Sequence, residues 1–308
     1  MSENGEFADL YSAIEESARV HEVPYAHDKV RSVLTAYQDT ITPATPIAFR
    51  MGTGARYSSD VDWRFPIPVT DGPDPYTLAL QHGLLERTDH PVSSLYGEVL
   101  DRCKVHCYGI DFGAASGLNK LYVAFPPDNM EPLSKLLDLP SMPPSVAANH
   151  EFFARHDMDR AQMPMFAIDY RDRTVNVYFN GLSAKALQPD SIRSIFRDLE
   201  LPEPSERVLK LSEQAIGAYA TLSWDSSKIE RFAFTIPGTN PADLPVEMEP
   251  EIAKFLASIG DQAIGDRFVY YVAMSSTGEE IYKFQVYYQF KPWLDTMMSP
   301  GSDEQPSS

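Results

Sequence analysis

Two periods of apolar spacing take turns along this chain, and the switch between them recurs. Phe7, Leu10, Tyr11 and Ile14, then Val30, Val33, Leu34 and Tyr37, follow the three-and-four spacing of amphipathic helices. Two runs of period two come next, TPIAFRM (45–51) and VDWRFPIPV (61–69). Helical spacing returns around Tyr76–Leu85 and at Val92, Leu95, Tyr96 and Val99. The strand runs KVHCYGIDF and LNKLYVAFP follow, joined by the small-residue turn GAASG. In the third round, helices around Leu133–Leu137 and Val146–Phe153 lead to PMFAIDY and RTVNVYFN across a tight turn at Arg171 and Asp172. Asp190 is placed to cap a helix carrying Ile192, Ile195, Phe196 and Leu199. A second helix over Ser205–Gln214 precedes IGAYATLSWD and KIERFAFTI. The last round has one helix, with Ile252, Phe255, Leu256 and Ile259, then RFVYYVAMSS and EEIYKFQVYYQF across a Ser-Thr-Gly turn.

The order is helices then hairpin, through five hairpins and ten strands. Short turns make each pair antiparallel. Ten strands covered by helices on one face leave two open edges, and closure into a barrel removes them. A barrel of about ten strands is wider than its own side chains can fill, so it can hold a ligand. The expected class is α+β, a ten-strand antiparallel β-barrel ringed by helices. A single domain is expected over 1–298, with a disordered tail at 299–308.

In such a barrel the apolar face of each strand packs under the helices. Val61, Trp63, Phe65 and Ile67 make one such face, and Tyr282, Phe284, Val286 and Tyr288 another. The alternate positions then line the lumen: Arg50, Asp62, Arg64, Lys120, Tyr122, Asn176, Tyr178, Gly217, Tyr219, Thr221, Arg231, Lys283, Gln285 and Tyr287. Polar residues alternating on a strand usually mark nothing more than its solvated face. Against that reading, this set has five cations and one acid, although the chain holds 44 Asp and Glu residues. Guanidinium and ammonium groups suit a diphosphate or polycarboxylate. Tyrosine faces suit an aromatic ring or a carbocation.

The formal net charge of −18 argues against nucleic acid or an anionic membrane as partner. No window resembles a membrane span or a secretory signal, so a cytoplasmic protein is expected. Cys103 and Cys107, with His106 between them, lack a second ligand pair for zinc and read as small hydrophobes. No phosphate-binding P-loop, nucleophile elbow, paired-histidine metal motif or D-D-x-x-D sequence occurs. Catalysis, if present, would come from positioning and electrostatics.

Several stretches resemble the soluble ABBA aromatic prenyltransferases of bacterial secondary metabolism, the NphB/CloQ type. They are FPPDNM (125–130), LPSMPPSVAANHEFFAR (139–155), VNVYF (175–179), YATLSWDSSKIER (219–231) and YKFQVYY (282–288). The resemblance implies a prenyl barrel that transfers a dimethylallyl or geranyl group from its diphosphate to an electron-rich aromatic carbon. It implies diphosphate-binding roles for Lys120, Asn176, Tyr219, Arg231 and Lys283, and shielding of the allylic chain by Tyr122, Tyr178 and Tyr219. Gln162, Gly217, Gln285 and Tyr287 match positions lining the acceptor pocket. Asp62 matches the family's metal-binding aspartate, but magnesium-dependent members carry small hydroxyl residues where Arg50 and Arg64 stand. Two arginines there would bind diphosphate and replace the metal's charge. Catalysis without a cofactor is therefore expected, with magnesium at Asp62 as the alternative. Acceptors of phenol, naphthalene, indole or phenazine type fit this reading. The rival is a non-catalytic barrel that carries an acidic aromatic metabolite.

Overall fold

A computed structural model of the protein describes residues 3–42, 45–54, 57, 59–70, 72–158, 162–259 and 267–289. Helices α1 (Glu3–Val20) and α2 (His27–Ala36) precede strands β1 (Ile47–Gly52) and β2 (Asp62–Pro68). Next come α3 (Pro75–Gln81), α4 (Val92–Arg102), β3 (Cys107–Gly113) and β4 (Gly117–Ala124). The third round is α5 (Pro144–Ala148), α6 (His150–Arg155), β5 (Met165–Asp169) and β6 (Thr174–Asn180). The fourth is α7 (Pro189–Asp198), α8 (Glu206–Ser212), β7 (Gly217–Ser223) and β8 (Ile229–Gly238). Helix α9 (Pro250–Ile259) leads into β9 (Phe268–Ser275) and β10 (Glu280–Gln289).

The ten strands close into a barrel in chain order, with β1 pairing β10 to seal it, and every neighbouring pair is antiparallel. Strand alternation then sorts the chain into two separate apolar regions. Outward residues such as Trp63, Phe65, Phe112, Phe232, Phe234 and Phe284 pack with the helices' apolar stripes into one large core. A smaller cluster lies inside: Tyr57, Tyr219, Ala233, Val269, Tyr271, Ala273 and Ile281, with Tyr178 against it. On β10, Tyr282, Phe284 and Val286 join the outer core, while Ile281, Lys283, Gln285 and Tyr287 take the other face, as the alternation required. Burying each large outward side chain contributes roughly 1.5–3 kcal/mol, and this core is what holds the helices on.

Four local expectations change. Leu133–Leu137 makes only a single 3-10 turn, at Leu133–Lys135. The helix expected over Val146–Phe153 is broken at Asn149 into α5 and α6. Asp190 does not cap α7; the N-cap is Gln188, and Asp190 sits in the first turn, 3.5 Å from Arg193. The turn between β5 and β6 takes four residues, with Arg173 at φ 50° and the Asp172 amide donating to the Asp169 carboxylate at 2.9 Å. Ser205 does cap α8, accepting from the Val208 amide. The side chains of Phe7, Ile259 and Tyr288 and the tail 299–308 lie outside the described residues.

Candidate active site

The barrel's hydrogen-bond register lines up charges of alternating sign. Arg64 on β2 pairs with Asp111 on β3, Asp111 with Lys120 on β4, and Lys120 with Asp169 on β5. Residues directly opposite across antiparallel strands have their side chains within reach, and here they bond. Lys120 Nζ lies 3.0 Å from Asp169, and Arg64 Nη2 lies 3.2 Å from Asp111. Arg50, one strand over on β1, donates through Nη2 to both Asp62 and Asp111 at 2.8 Å. Tyr122 Oη donates to the same Asp111 carboxylate at 2.9 Å and accepts from Arg64 Nη2. Asp111 and Asp169 are each 1% exposed.

This corrects the composition expected of the lumen. Asp62 is not its one acid, because Asp111 and Asp169 share the interior. Buried cations without counter-charges are too costly. Burial alone would push the Asp111 carboxyl up, but Arg50, Arg64 and Lys120 outweigh it and hold it below the usual carboxylate range. Asp62 goes the other way: burial raises it, and Arg50 only partly offsets that.

On the far side of the lumen, Lys283 Nζ donates to Tyr219 Oη and sits 5.0 Å from the Tyr271 ring centre and 5.5 Å from that of Tyr57. Arg231 Nη2 donates to Thr221 Oγ1 at 3.2 Å, and Thr221 donates to Asn176 Oδ1 at 2.9 Å. Asn176 Nδ2 reaches Tyr178 Oη at 3.3 Å. Tyr178 and Tyr219 pack ring to ring at 5.0 Å, and the Arg64 guanidinium covers the Tyr122 ring at 4.1 Å. Burial raises the phenols of Tyr122, Tyr219 and Tyr271, so they are neutral donors in the working pH range.

Two spaces meet inside the barrel. The smaller, about 10 Å³, is polar and is bordered by Arg50, Asp62, Arg64, Lys120, Asn176 and Lys283 together with tyrosines. The larger, about 170 Å³, is mainly apolar and is lined in part by Gly217, Gln285 and Tyr287. Arg64, Tyr122, Tyr178 and Tyr271 border both. Gly217 leaves no room for a side chain: a Cβ there would stand 2.3 Å from the Phe179 carbonyl oxygen. Arg231 is buried on the inward face of β8, beside Thr221, without bordering either space. Gln162 differs from expectation. Its side chain is exposed and borders neither space, although its backbone bridges Asn180, which lines the larger one. Cys107 lines the larger space, and Cys103 packs in the outer core.

The family description "Aromatic prenyltransferase Orf2" matches residues 6–293. The chain belongs to this family. Among its relatives, a 5,10-dihydrophenazine-1-carboxylate 9-dimethylallyltransferase of Streptomyces anulatus is 42% identical, over 97% of this chain and 99% of that one. A flaviolin linalyltransferase of Streptomyces virginiae is 38% identical over 94% and 95% of the two chains. A furaquinocin biosynthesis prenyltransferase of a Streptomyces strain (KO-3988) is 39% identical over 92% and 91%. The protein is thus an aromatic prenyltransferase, and the carrier reading falls away. No helix among the described residues is long and apolar enough to cross a membrane.

Sequence reasoning missed Asp111, Asp169, Tyr57 and Tyr271 within this prenyltransferase lumen. Tyr271 and the two aspartates lie on strands whose inward faces otherwise carry Cys, Gly, Ala, Met, Val or Ser, so alternation offered little contrast. Cross-strand register was the usable signal: Lys120 inside a barrel calls for an acid on a neighbouring strand at its own height.

Proposed function

We propose that this prenyltransferase moves a dimethylallyl or geranyl group from its diphosphate onto a carbon of an electron-rich aromatic ring, without a bound metal. The carrying observation is the junction between the cationic compartment and the apolar cavity, walled by Arg64, Tyr122, Tyr178 and Tyr271. Diphosphate suits the first space and a planar ring the second. The breaking carbon–oxygen bond would lie between them. The buried Nε–H groups of Arg50 and Arg64 have no acceptor. That state is costly, and a phosphate oxygen relieves it. The relatives' names, a dihydrophenazine carboxylate dimethylallyltransferase and a flaviolin linalyltransferase, support an allylic donor and a fused-ring acceptor. Phenols, naphthalenes, indoles and phenazines are the acceptor types to try.

In the reaction, the allylic carbon–oxygen bond breaks and its electron pair leaves with the diphosphate. Lys120, Lys283, Arg231 and the two arginines stabilise that charge in a site poor in water. The rings of Tyr122, Tyr178 and Tyr219 face the allylic cation and delay its capture by water. An aromatic carbon supplies the pair for the new bond, and the ring proton passes to water.

Magnesium would have to use Asp62. Arg50 already holds both Asp62 and Asp111 at 2.8 Å. Magnesium on a diphosphate can use a single carboxylate beside phosphate oxygens and waters, but here that carboxylate would have to give up its guanidinium. Arg50 and Arg64 supply positive charge in its place. The test is to incubate the protein with dimethylallyl or geranyl diphosphate and the four acceptor types, with EDTA or with magnesium, and weigh the products. Prenylated product in EDTA is expected. No product from any pairing would sink the reading, and product only with magnesium would sink its metal-free part.

A further inference from the structure

Three tyrosines stand on the wall between the two spaces, and the hydroxyls of two are occupied. Tyr122 Oη is held by Asp111 and Arg64, and Tyr178 Oη accepts from Asn176. Tyr271, on β9, differs. Its side chain borders both the polar space and the apolar cavity and is 8% exposed. Among the described residues no group bonds to its hydroxyl. Buried hydroxyls nearly always have a partner, and an exception in a cavity wall marks a place that a ligand completes.

The ring has no such freedom. Register places Tyr271 directly opposite Lys283 on β10 and Thr235 on β8. Lys283 Nζ lies 5.0 Å from its ring centre, and the Tyr219 ring meets it edge-on at 6.2 Å and 74°. The ring is fixed by its neighbours, and only the hydroxyl is left to bind. A phenol can donate or accept, so its surroundings decide which it does. Burial keeps this one neutral, and Arg64 and Arg50 are near enough for their charge to act on its oxygen. With Lys283 against the ring as well, cations gather around one free O–H. Such a donor is completed by the oxygen of an anion.

We propose that the Tyr271 hydroxyl donates a hydrogen bond to the bridging oxygen of the prenyl diphosphate, the atom that inherits the electron pair, and is a further catalytic residue of the transfer. This rests on the prenyl-transfer reading above. The junction wall suits that atom, because the breaking carbon–oxygen bond crosses from one space to the other. As the bond breaks, charge builds on the oxygen and the contact strengthens, which lowers the barrier. The proton stays on Tyr271. The pair leaves with the diphosphate, the new carbon–carbon bond takes its pair from the aromatic ring, and water takes the ring proton. Lys283 brings charge to the leaving group, whereas Tyr271 brings a directed donor to one of its atoms.

Tyr271→Phe tests this, since it keeps the ring against Lys283 and Tyr219 and removes only the O–H. With dimethylallyl diphosphate and an acceptor that the wild type prenylates, its single-turnover rate should fall about ten- to a hundredfold, the loss of one hydrogen bond to a charged group. The KM of the acceptor should move by less than about threefold, because the contact is to the donor. Inorganic pyrophosphate, titrated by calorimetry, should bind the variant about tenfold more weakly than the wild type. The circular dichroism spectrum should hold. An unchanged single-turnover rate or an unchanged affinity for pyrophosphate would overturn the assignment. So would a raised acceptor KM with pyrophosphate binding intact, which would give the hydroxyl to the aromatic acceptor instead. Pyrophosphate binding needs no turnover. Weaker binding by Tyr271→Phe, in a protein that forms no product from any pairing, would keep the hydrogen bond to diphosphate and sink only the transfer reading.

Discussion

Replacing Asp111 by Asn removes one negative charge from a side chain that holds three donors and is 1% exposed. Arg50 at 2.8 Å, Arg64 at 3.2 Å and Tyr122 at 2.9 Å all converge on its Oδ2. Asn keeps the shape and one acceptor, so packing is unchanged and the loss is electrostatic. Breaking a buried ion pair by removing one partner costs roughly 3–5 kcal/mol. The lower end applies, since Arg50 keeps Asp62 at 2.8 Å. For a chain of this size each kcal/mol moves the midpoint by about 2–4 °C, so a fall of roughly 6–12 °C follows. Glu200→Gln, which breaks an exposed pair with Lys228 at 2.9 Å, should move it by nothing measurable. Inorganic pyrophosphate sharpens the test. The variant's lumen carries one more unbalanced positive charge, so pyrophosphate should bind it more tightly and raise its midpoint more than that of the wild type. Acid gives a further check. The folded Asp111 carboxyl sits below its unfolded range, so its stabilisation is complete above about pH 4 and is lost as pH falls below that. The gap between wild type and variant should therefore close in acid. An unchanged midpoint, or a smaller pyrophosphate effect in the variant, would refute the reasoning.

Lys283→Ala should keep the far-ultraviolet spectrum and lose about a hundredfold in turnover, the roughly 3 kcal/mol given by one charged contact to a leaving group; undiminished turnover would remove Lys283 from the site. Burial pushes the thiols of Cys103 and Cys107 up to about 11, so neither should react with a disulfide reagent at pH 8 until urea unfolds the chain, and rapid labelling of the folded protein would contradict this. The phenols of Tyr122, Tyr219 and Tyr271 are raised by burial, so their stabilisation is present below about pH 10 and fades as pH rises further. Their ionisation, followed at 295 nm, should coincide with unfolding, and a reversible titration of all three below pH 10 would be inconsistent with it.

How much of this was legible in the sequence depended on contrast between the two faces of each strand. On β2 and β10, charged or amide residues alternate with Trp63, Phe65, Phe284 and Val286, and the inward set could be read directly. On β5 the inward residues are Met165, Ala167 and Asp169, against outward Phe166 and Ile168. One aspartate at a strand end has the look of a turn residue. On β3, Asp111 lies inside the strand, but its inward neighbours Gly109 and Cys107 are small and give that face no polar pattern. Gln162 stands apart for a different reason: resemblance alone points to it, it lies on no periodic element, and its side chain is exposed.

The buried aspartates also explain how the cations can be ready before a donor arrives. Five like charges confined in one lumen would repel one another, and each would lose its hydration. With Asp111 shared by Arg50, Arg64 and Tyr122, and Asp169 fixed against Lys120, the guanidinium and ammonium groups are already aimed and restrained. A donor diphosphate then meets oriented charge instead of having to order long, mobile side chains around itself. That preorganisation is where electrostatic catalysis gains most. It explains why a barrel with a strongly anionic composition spends three of its acids inside. They are the scaffold on which the positive groups are held.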